Sequence, residues 1–127
     1  MPRTEKQKKG EWGEEKASYF LKDKGYEIVE INFGIHKVGE VDIIAYHNKH
    51  YFGKTLCFIE VKTRGTDNGS AQRAVGKNKL QKMFAAAKIY CFQNNIDIDR
   101  TPIQFEQVSV YGSEENPLIR HYVVPVD

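Results

Sequence analysis

No stretch of this 127-residue chain approaches the roughly 18 consecutive apolar residues that a membrane span requires, so no membrane association is expected. Cysteine is scarce. Cys57 and Cys91 lie in apolar stretches and share no metal-type spacing with each other or with a histidine, which excludes a disulfide scaffold. Proline is scarce too, at four residues, and no period or repeat is visible, which excludes collagen-like and repeat architectures. The start, Met1-Pro2-Arg3-Thr4-Glu5-Lys6, is charged and has no apolar segment behind it, unlike a secretory signal. A reducing, cytoplasmic setting is therefore the expectation. What is present is 40% hydrophobic and 12% aromatic residues, enough for one packed core and too many for a disordered chain.

A net charge of +2 conceals an uneven distribution. Residues 1–61 carry ten basic and ten acidic side chains, residues 62–90 seven basic and one acidic, and residues 91–127 two basic and six acidic. The middle third is the place to look for a polyanionic partner, although a solvated helix face gives the same pattern.

The hydrophobic periodicity predicts one mixed α/β domain over residues 10–127, behind a basic flexible tail at residues 1–9 (Arg3, Lys6, Lys8, Lys9). A helix is expected from Gly10 to Lys24, stopped by Gly25. Strands follow at Tyr26–Phe33, Glu40–Tyr46 and Thr55–Thr63, the first two joined by a turn at Ile35–Gly39 and the last two by a polar loop at His47–Gly53. Arg64–Ala71 reads as a loop, and a second helix runs from Arg73 to Asn94 with Leu80, Met83, Phe84, Ala87 and Cys91 on one stripe. Ile103–Tyr111 and Ile119–Val124 complete the strands, with a turn at Gly112–Pro117.

Glu60 and Lys62 stand two apart in the most hydrophobic strand, so they emerge on one face while Cys57, Ile59 and Val61 point to the other. Glu-x-Lys alone is uninformative: eleven Glu and fourteen Lys in 127 residues make about one chance occurrence. Its position in an apolar strand raises it, because charged residues are rarely buried unless paired or ligating. An edge strand with a solvated face remains the plain alternative. In the preceding strand Glu40 and Asp42 are expected on one face, and Val41 and Ile43 on the other. A hairpin would bring Asp42 beside Glu60 and Lys62. Two carboxylates near one lysine suit a hard divalent cation, since Mg²⁺ keeps several waters and accepts few protein oxygens. Glu14 lies at the margin of the first helix's apolar face, aimed at the sheet or simply favouring the helix dipole. No Walker loop, nucleophile elbow or dinucleotide fingerprint occurs.

Gly13-Glu14, Ala17, Leu21, Gly25-Tyr26, Asn32, the block Gly39-Glu40-Val41-Asp42-Ile43-Ile44-Ala45, the block Phe58-Ile59-Glu60-Val61-Lys62-Thr63-Arg64, and then Gly69, Ala74-Val75 and Lys79 resemble, in order, the YraN-type family of small endonuclease-like bacterial proteins. That family is similar to archaeal Holliday-junction resolvases and to the PD-(D/E)xK, restriction-endonuclease-like group. The chain departs from it at Gly34, where the family has an arginine, and at Gln104-Phe105-Glu106, where the family reads Arg-Phe-Asp.

The resemblance implies a mixed central sheet with helices on both faces, in a restriction-endonuclease-like αβββαβ core. It implies metal-dependent hydrolysis of DNA phosphodiester bonds, structure-selective or weakly sequence-specific, on duplex, branched or single-stranded DNA. Glu14, Asp42, Glu60 and Lys62 are then catalytic. Asp42, Glu60, the Val61 carbonyl and Glu14 would hold Mg²⁺ or Mn²⁺, with Glu40 behind them. Arg64, Arg73, Lys77 and Lys79 are the expected phosphate contacts. A homodimer is compatible, through an edge made of Tyr111, Ile119 and Tyr122-Val123-Val124. A non-catalytic nucleic-acid-binding or partner-docking module with a vestigial site is the alternative.

Overall fold

A computed structural model describes residues 2–64, 76–112 and 115–125. The expected Arg64–Ala71 loop from residue 65 on, Arg73, and the start of the second helix lie outside the described residues. Helix α1 (Glu5–Asp23) is followed by strands β1 (Glu27–Ile35), β2 (Gly39–Lys49) and β3 (Gly53–Arg64), helix α2 (Lys77–Gln93), and strands β4 (Ile103–Tyr111) and β5 (Leu118–Val123). The strands form one sheet in the order β1-β2-β3-β4-β5. All neighbours are antiparallel except β3 and β4, which run parallel across the α2 crossover.

β3 occupies the centre, and its residues from Thr55 to Glu60 are all buried, as a strand covered on both faces requires. Against one face α2 packs Met83, Ala86, Ala87, Tyr90 and Cys91 onto Val41, Ile44, Leu56, Phe58 and Phe105. Against the other, α1 packs Ala17 and Leu21 onto Ile43, Ala45, Cys57, Ile59, Val108 and Val110. The mixed sheet with a helix on each face is the architecture expected from the sequence. Among the described residues no helix is long and apolar enough to cross a membrane.

Three expectations need correction. The basic tail is not a tail from Glu5 onward: Thr4 caps α1 in a reciprocal capping box with Gln7, which draws Lys6, Lys8 and Lys9 into its first turns. Val41 and Ile43 do not share a face, since Val41 packs under α2 and Ile43 under α1. Opposite the break Asn32, between the pairs Ile31↔Ile43 and Phe33↔Val41, takes a left-handed φ of 55°. Finally, Tyr111 and Val124 are buried, leaving Leu118 and Val123 as the exposed apolar residues of edge strand β5. The glycine stop is as expected: Gly25 has φ 91°, and the Tyr26 N–H returns to the Leu21 carbonyl at 3.0 Å.

On the α1 face Glu106 is fully buried yet compensated. Its Oε1 accepts from the Tyr26 hydroxyl at 2.7 Å and meets His121 Nε2 at 2.6 Å, and Lys49 Nζ stands 3.0 Å from Oε2 as an ion pair. Burial alone would raise this carboxyl, but the hydrogen bonds from His121 and Tyr26 and the charge of Lys49 outweigh it and hold the group down at about 2. A depressed carboxylate stabilises the fold above its unfolded value of 4.5, and the contribution is lost as pH falls from there toward 2. Glu106→Ala is therefore expected to cost about 3 kcal/mol at pH 7 in urea denaturation, with the gap to wild type closing on acidification.

Candidate active site

Pairing between β2 and β3 ends at Ile43↔Ile59. Beyond that point Gly39 to Val41 pair with β1, and Glu60 to Arg64 with β4. The two strands fork. Across the gap the Val61 N–H donates to Asp42 Oδ2 at 2.8 Å, a side chain standing where a backbone acceptor would otherwise be. Burial pushes the Asp42 carboxyl up to about 6. The Val61 bond and Lys79 oppose this, while Glu14 and Glu60 add to it through their negative charge.

Glu60 is only 4% exposed. Its Oε1 lies 3.0 Å from Lys62 Nζ and 3.6 Å from Lys79 Nζ, whereas Oε2 is buried with no hydrogen-bond partner. A buried carboxylate oxygen without a donor is costly and uncommon in native structures. Glu14 arrives from α1. Its carboxyl is raised by burial, lowered by a hydrogen bond from the Asn32 side chain, and raised by the nearby charges of Glu40 and Glu11. Glu14, Val61 and Lys62 line a recess of about 230 Å³ together with Lys6 and Lys9 of the first turns of α1.

Two glycines let the helices reach this end of the sheet. A Cβ on Gly13 would stand 2.0 Å from Thr63 Oγ1, so only glycine allows α1 so close to β3. A Cβ on Gly39 would stand 2.7 Å from the Lys82 carbonyl oxygen, so glycine likewise sets the approach of α2 to β2. Helices on opposite sheet faces thus deliver Glu14 and Lys79 to one fork.

The structure brings Glu14, Asp42, Glu60 and Lys62 together. Val61 takes part through its N–H, and exposed Glu40 adds its charge beside Glu14. Lys79, expected as a phosphate contact, stands 3.6 Å from Glu60 Oε1 as an ion pair. Arg64 closes β3 opposite Tyr111, Lys77 opens α2 in an exposed position, and Arg73 lies outside the described residues. Sequence reasoning passed over Asn32, Lys6 and Lys9 as site residues. Asn32 was visible only as part of a motif, and the lysines were hidden by their reading as a tail. Among the described residues no group of three or more His, Cys, Asp or Glu side chains is placed to hold a metal ion. The available set is Asp42 and Glu60, with Glu14 alongside.

The chain matches the profile of the uncharacterised protein family UPF0102 over residues 13–110, a span that includes all four of these residues. A UPF0102 protein of Cytophaga hutchinsonii is 39% identical over 107 residues, covering 84% of this chain and 87% of that protein. One from Koribacter versatilis is 41% identical over 115 residues, covering 88% and 74%. A third, from Clostridioides difficile, is 35% identical over 108 residues, covering 84% and 88%. These names state no activity.

Two stability measurements test the site's electrostatics and packing. Because the folded pKa of Asp42 lies above its unfolded value of 3.8, the native state binds the extra proton, and stability falls as pH rises through 6. In EDTA at pH 8, Asp42→Asn should therefore raise unfolding stability by about 2 kcal/mol, with the gain vanishing near the unfolded pKa. Gly13→Ala should cost about 1–3 kcal/mol through the clash with Thr63, and Thr63→Ala in the same chain should recover part of that loss.

Proposed function

This chain belongs to the uncharacterised protein family UPF0102, and from the site just described we propose that it is a metal-dependent endonuclease that hydrolyses phosphodiester bonds of DNA. The observation that carries the reading is Glu60: buried in the central strand, with one oxygen lacking a donor, at the fork where Asp42 is already burdened by two neighbouring carboxylates. Excess negative charge of this kind is a poor structural solution and a good cation site. The donors are all oxygen, which suits Mg²⁺ or Mn²⁺ rather than a thiophilic ion. Asp42 and Glu60 would hold the ion, with the Val61 carbonyl and Glu14 as further oxygens. Few protein ligands are needed when waters and a substrate phosphate fill the other positions.

Such an ion, when bound, supplies Lewis-acid polarisation of the phosphoryl group and makes nearby water more acidic. The chain's own part follows from where its groups stand. Glu60 holds the Lys62 ammonium at 3.0 Å, fixing a positive donor beside the carboxylates. From there Lys62 orients the attacking water or offsets the charge that develops on the pentavalent phosphorus. The Val61 N–H keeps one Asp42 oxygen turned across the fork and leaves the other for ligation. The Asn32 side chain stabilises the ionised form of Glu14, against the burial that raises its carboxyl. Arg64, Arg73 and Lys77 supply phosphate contacts, joined by Lys6 and Lys9 at the recess. Such contacts are independent of sequence, so structure-selective or weakly specific cleavage is the outcome.

A second reading has its own observation. Lys62 and Lys79 both face Glu60 Oε1 and offset its charge without any metal, as in a DNA-binding or partner-docking module with a vestigial site. Labelled duplex, single-stranded, flap and four-way-junction DNAs, incubated with Mg²⁺, Mn²⁺ or EDTA, separate the two. Metal-dependent cleavage lost in Lys62→Ala, with DNA binding retained, is the expected result. Binding without cleavage of any substrate by the wild type would establish the second reading instead.

A further inference from the structure

Beside the candidate site, the β1–β2 hairpin and α2 enclose a recess of about 470 Å³. Its lining includes His36, Lys37, Lys79 and Lys82, with Glu40 as the single carboxylate. Lys37 and Lys82 are exposed and make no ion pair among the described residues. An exposed cluster of this sign, walled by backbone, is an electrostatic footprint for a polyanion. The spacing of its walls is set by the fold: the Lys82 carbonyl oxygen stands where a Cβ on Gly39 would meet it at 2.7 Å, so hairpin and helix meet without a side chain between them. Lys79 belongs to the recess and to the site at once, since its ammonium lies 3.6 Å from Glu60. A chain of phosphates seated on Lys37 and Lys82 therefore leads past Lys79 to the fork. No Phe, Tyr or Trp lines the recess, and His36 is its single aromatic ring.

We propose that this recess binds the sugar–phosphate backbone of the DNA strand flanking the bond to be cut, with Lys37 and Lys82 each contacting a phosphate. The proposal rests on the nuclease reading and extends it to Lys82 of the basic middle third and to Lys37, which lies outside it. It also assigns a direction, because the strand runs from the hairpin across Lys79 to Asp42 and Glu60.

The test is the salt dependence of binding to a short fluorescein-labelled duplex, read by anisotropy in EDTA and again in Ca²⁺. Lys37→Asn removes the charge at a residue with φ 65°, where asparagine is tolerated, and Lys82→Gln keeps the stem that packs by Gly39. Each lost phosphate contact should make the slope of log affinity against log salt shallower by about 0.9, so the double variant should lose about 1.8. Lys54→Gln with Lys88→Gln, outside the recess, should leave the slope unchanged. Gly34→Arg gives a gain rather than a loss. Its Cβ would meet only the Glu40 Cβ at an ordinary 3.6 Å, and an arginine there should steepen the slope by about one contact. In cleavage assays the double variant should raise KM and leave kcat unchanged, the mark of uniform binding.

A double variant that keeps the wild-type slope, in a protein that still binds and cleaves DNA, would overturn the recess and spare the nuclease reading. A wild type that binds no duplex, single-stranded, flap or four-way-junction DNA in either buffer would overturn both. If the double variant fails to fold, Gly34→Arg decides alone, and an unchanged slope there counts against the recess.

Discussion

Everything at the candidate site depends on one substitution of partners: at the fork of β2 and β3, a side-chain carboxylate does what a backbone carbonyl does elsewhere in the sheet. The Val61 N–H must be satisfied, because a buried amide without an acceptor costs more than an ordinary hydrogen bond contributes. Asp42 satisfies it at 2.8 Å, which ties the two strands together just where their ladder has ended. Without that tie the fork would expose an unpaired amide next to Glu60. With it, the strands can part and still be held in register, and the gap becomes a place where side chains from both sheet faces meet.

That meeting is otherwise hard to arrange. A sheet separates the helices packed on its two faces, and residues alternate strictly between them. Here Glu14 comes from the α1 side, while Lys79 comes from the α2 side with Glu60. Two close approaches make it possible, α1 on Thr63 at Gly13 and α2 on Gly39 at Lys82. Glycine in a helix or strand interior costs stability relative to alanine. A fold that places Gly13 inside α1 gives up a little local propensity for proximity at the fork, whereas Gly39 makes its contact from the first position of β2. The raised carboxyl of Asp42 is a second concession of the same kind, since stability would be greater with a neutral residue there.

Much of this was readable in the chain. The blocks around Asp42 and Glu60 announced two adjacent strands, and consecutive strands usually pair, so their convergence followed from topology alone. Gly25 announced the end of α1, and the β-branched run through Ile59 announced the central strand. What escaped had nonlocal causes. The break in alternation between Val41 and Ile43 lies opposite the left-handed Asn32 of the facing strand, and no period-2 pattern within β2 could reveal it. The lysines at positions 6, 8 and 9 read as a tail because their stretch lacks apolar residues, although Thr4 and Gln7 already spelled a capping box. The partners of Glu106 come from α1's exit, the end of β2 and β5, which only the folded register assembles.

Glu60 and Glu106 together show why burial alone does not identify function. They sit on adjacent parallel strands, almost level, since Ile59 is the register partner of Glu106 and Gln107 that of Glu60. Both are buried. Glu106 faces α1 and is met by a phenol, an imidazole and an ammonium, and its carboxyl is held at about 2. Its Oε2, like that of Glu60, accepts no hydrogen bond, but the Lys49 ammonium stands 3.0 Å from it, so the charge is balanced from within the fold. Glu60 faces α2 and has two lysines on one oxygen and nothing on the other, with Asp42 beside it pushed up to about 6. The same side chain, one strand away, is left electrostatically unfinished. The unfinished carboxylate also stands at the end of the sheet where both helices converge, next to a recess that Glu14, Val61 and Lys62 line with Lys6 and Lys9. Two ammoniums meet one of its oxygens and none the other, which is why Glu60 and not Glu106 carries the proposal of a cation site.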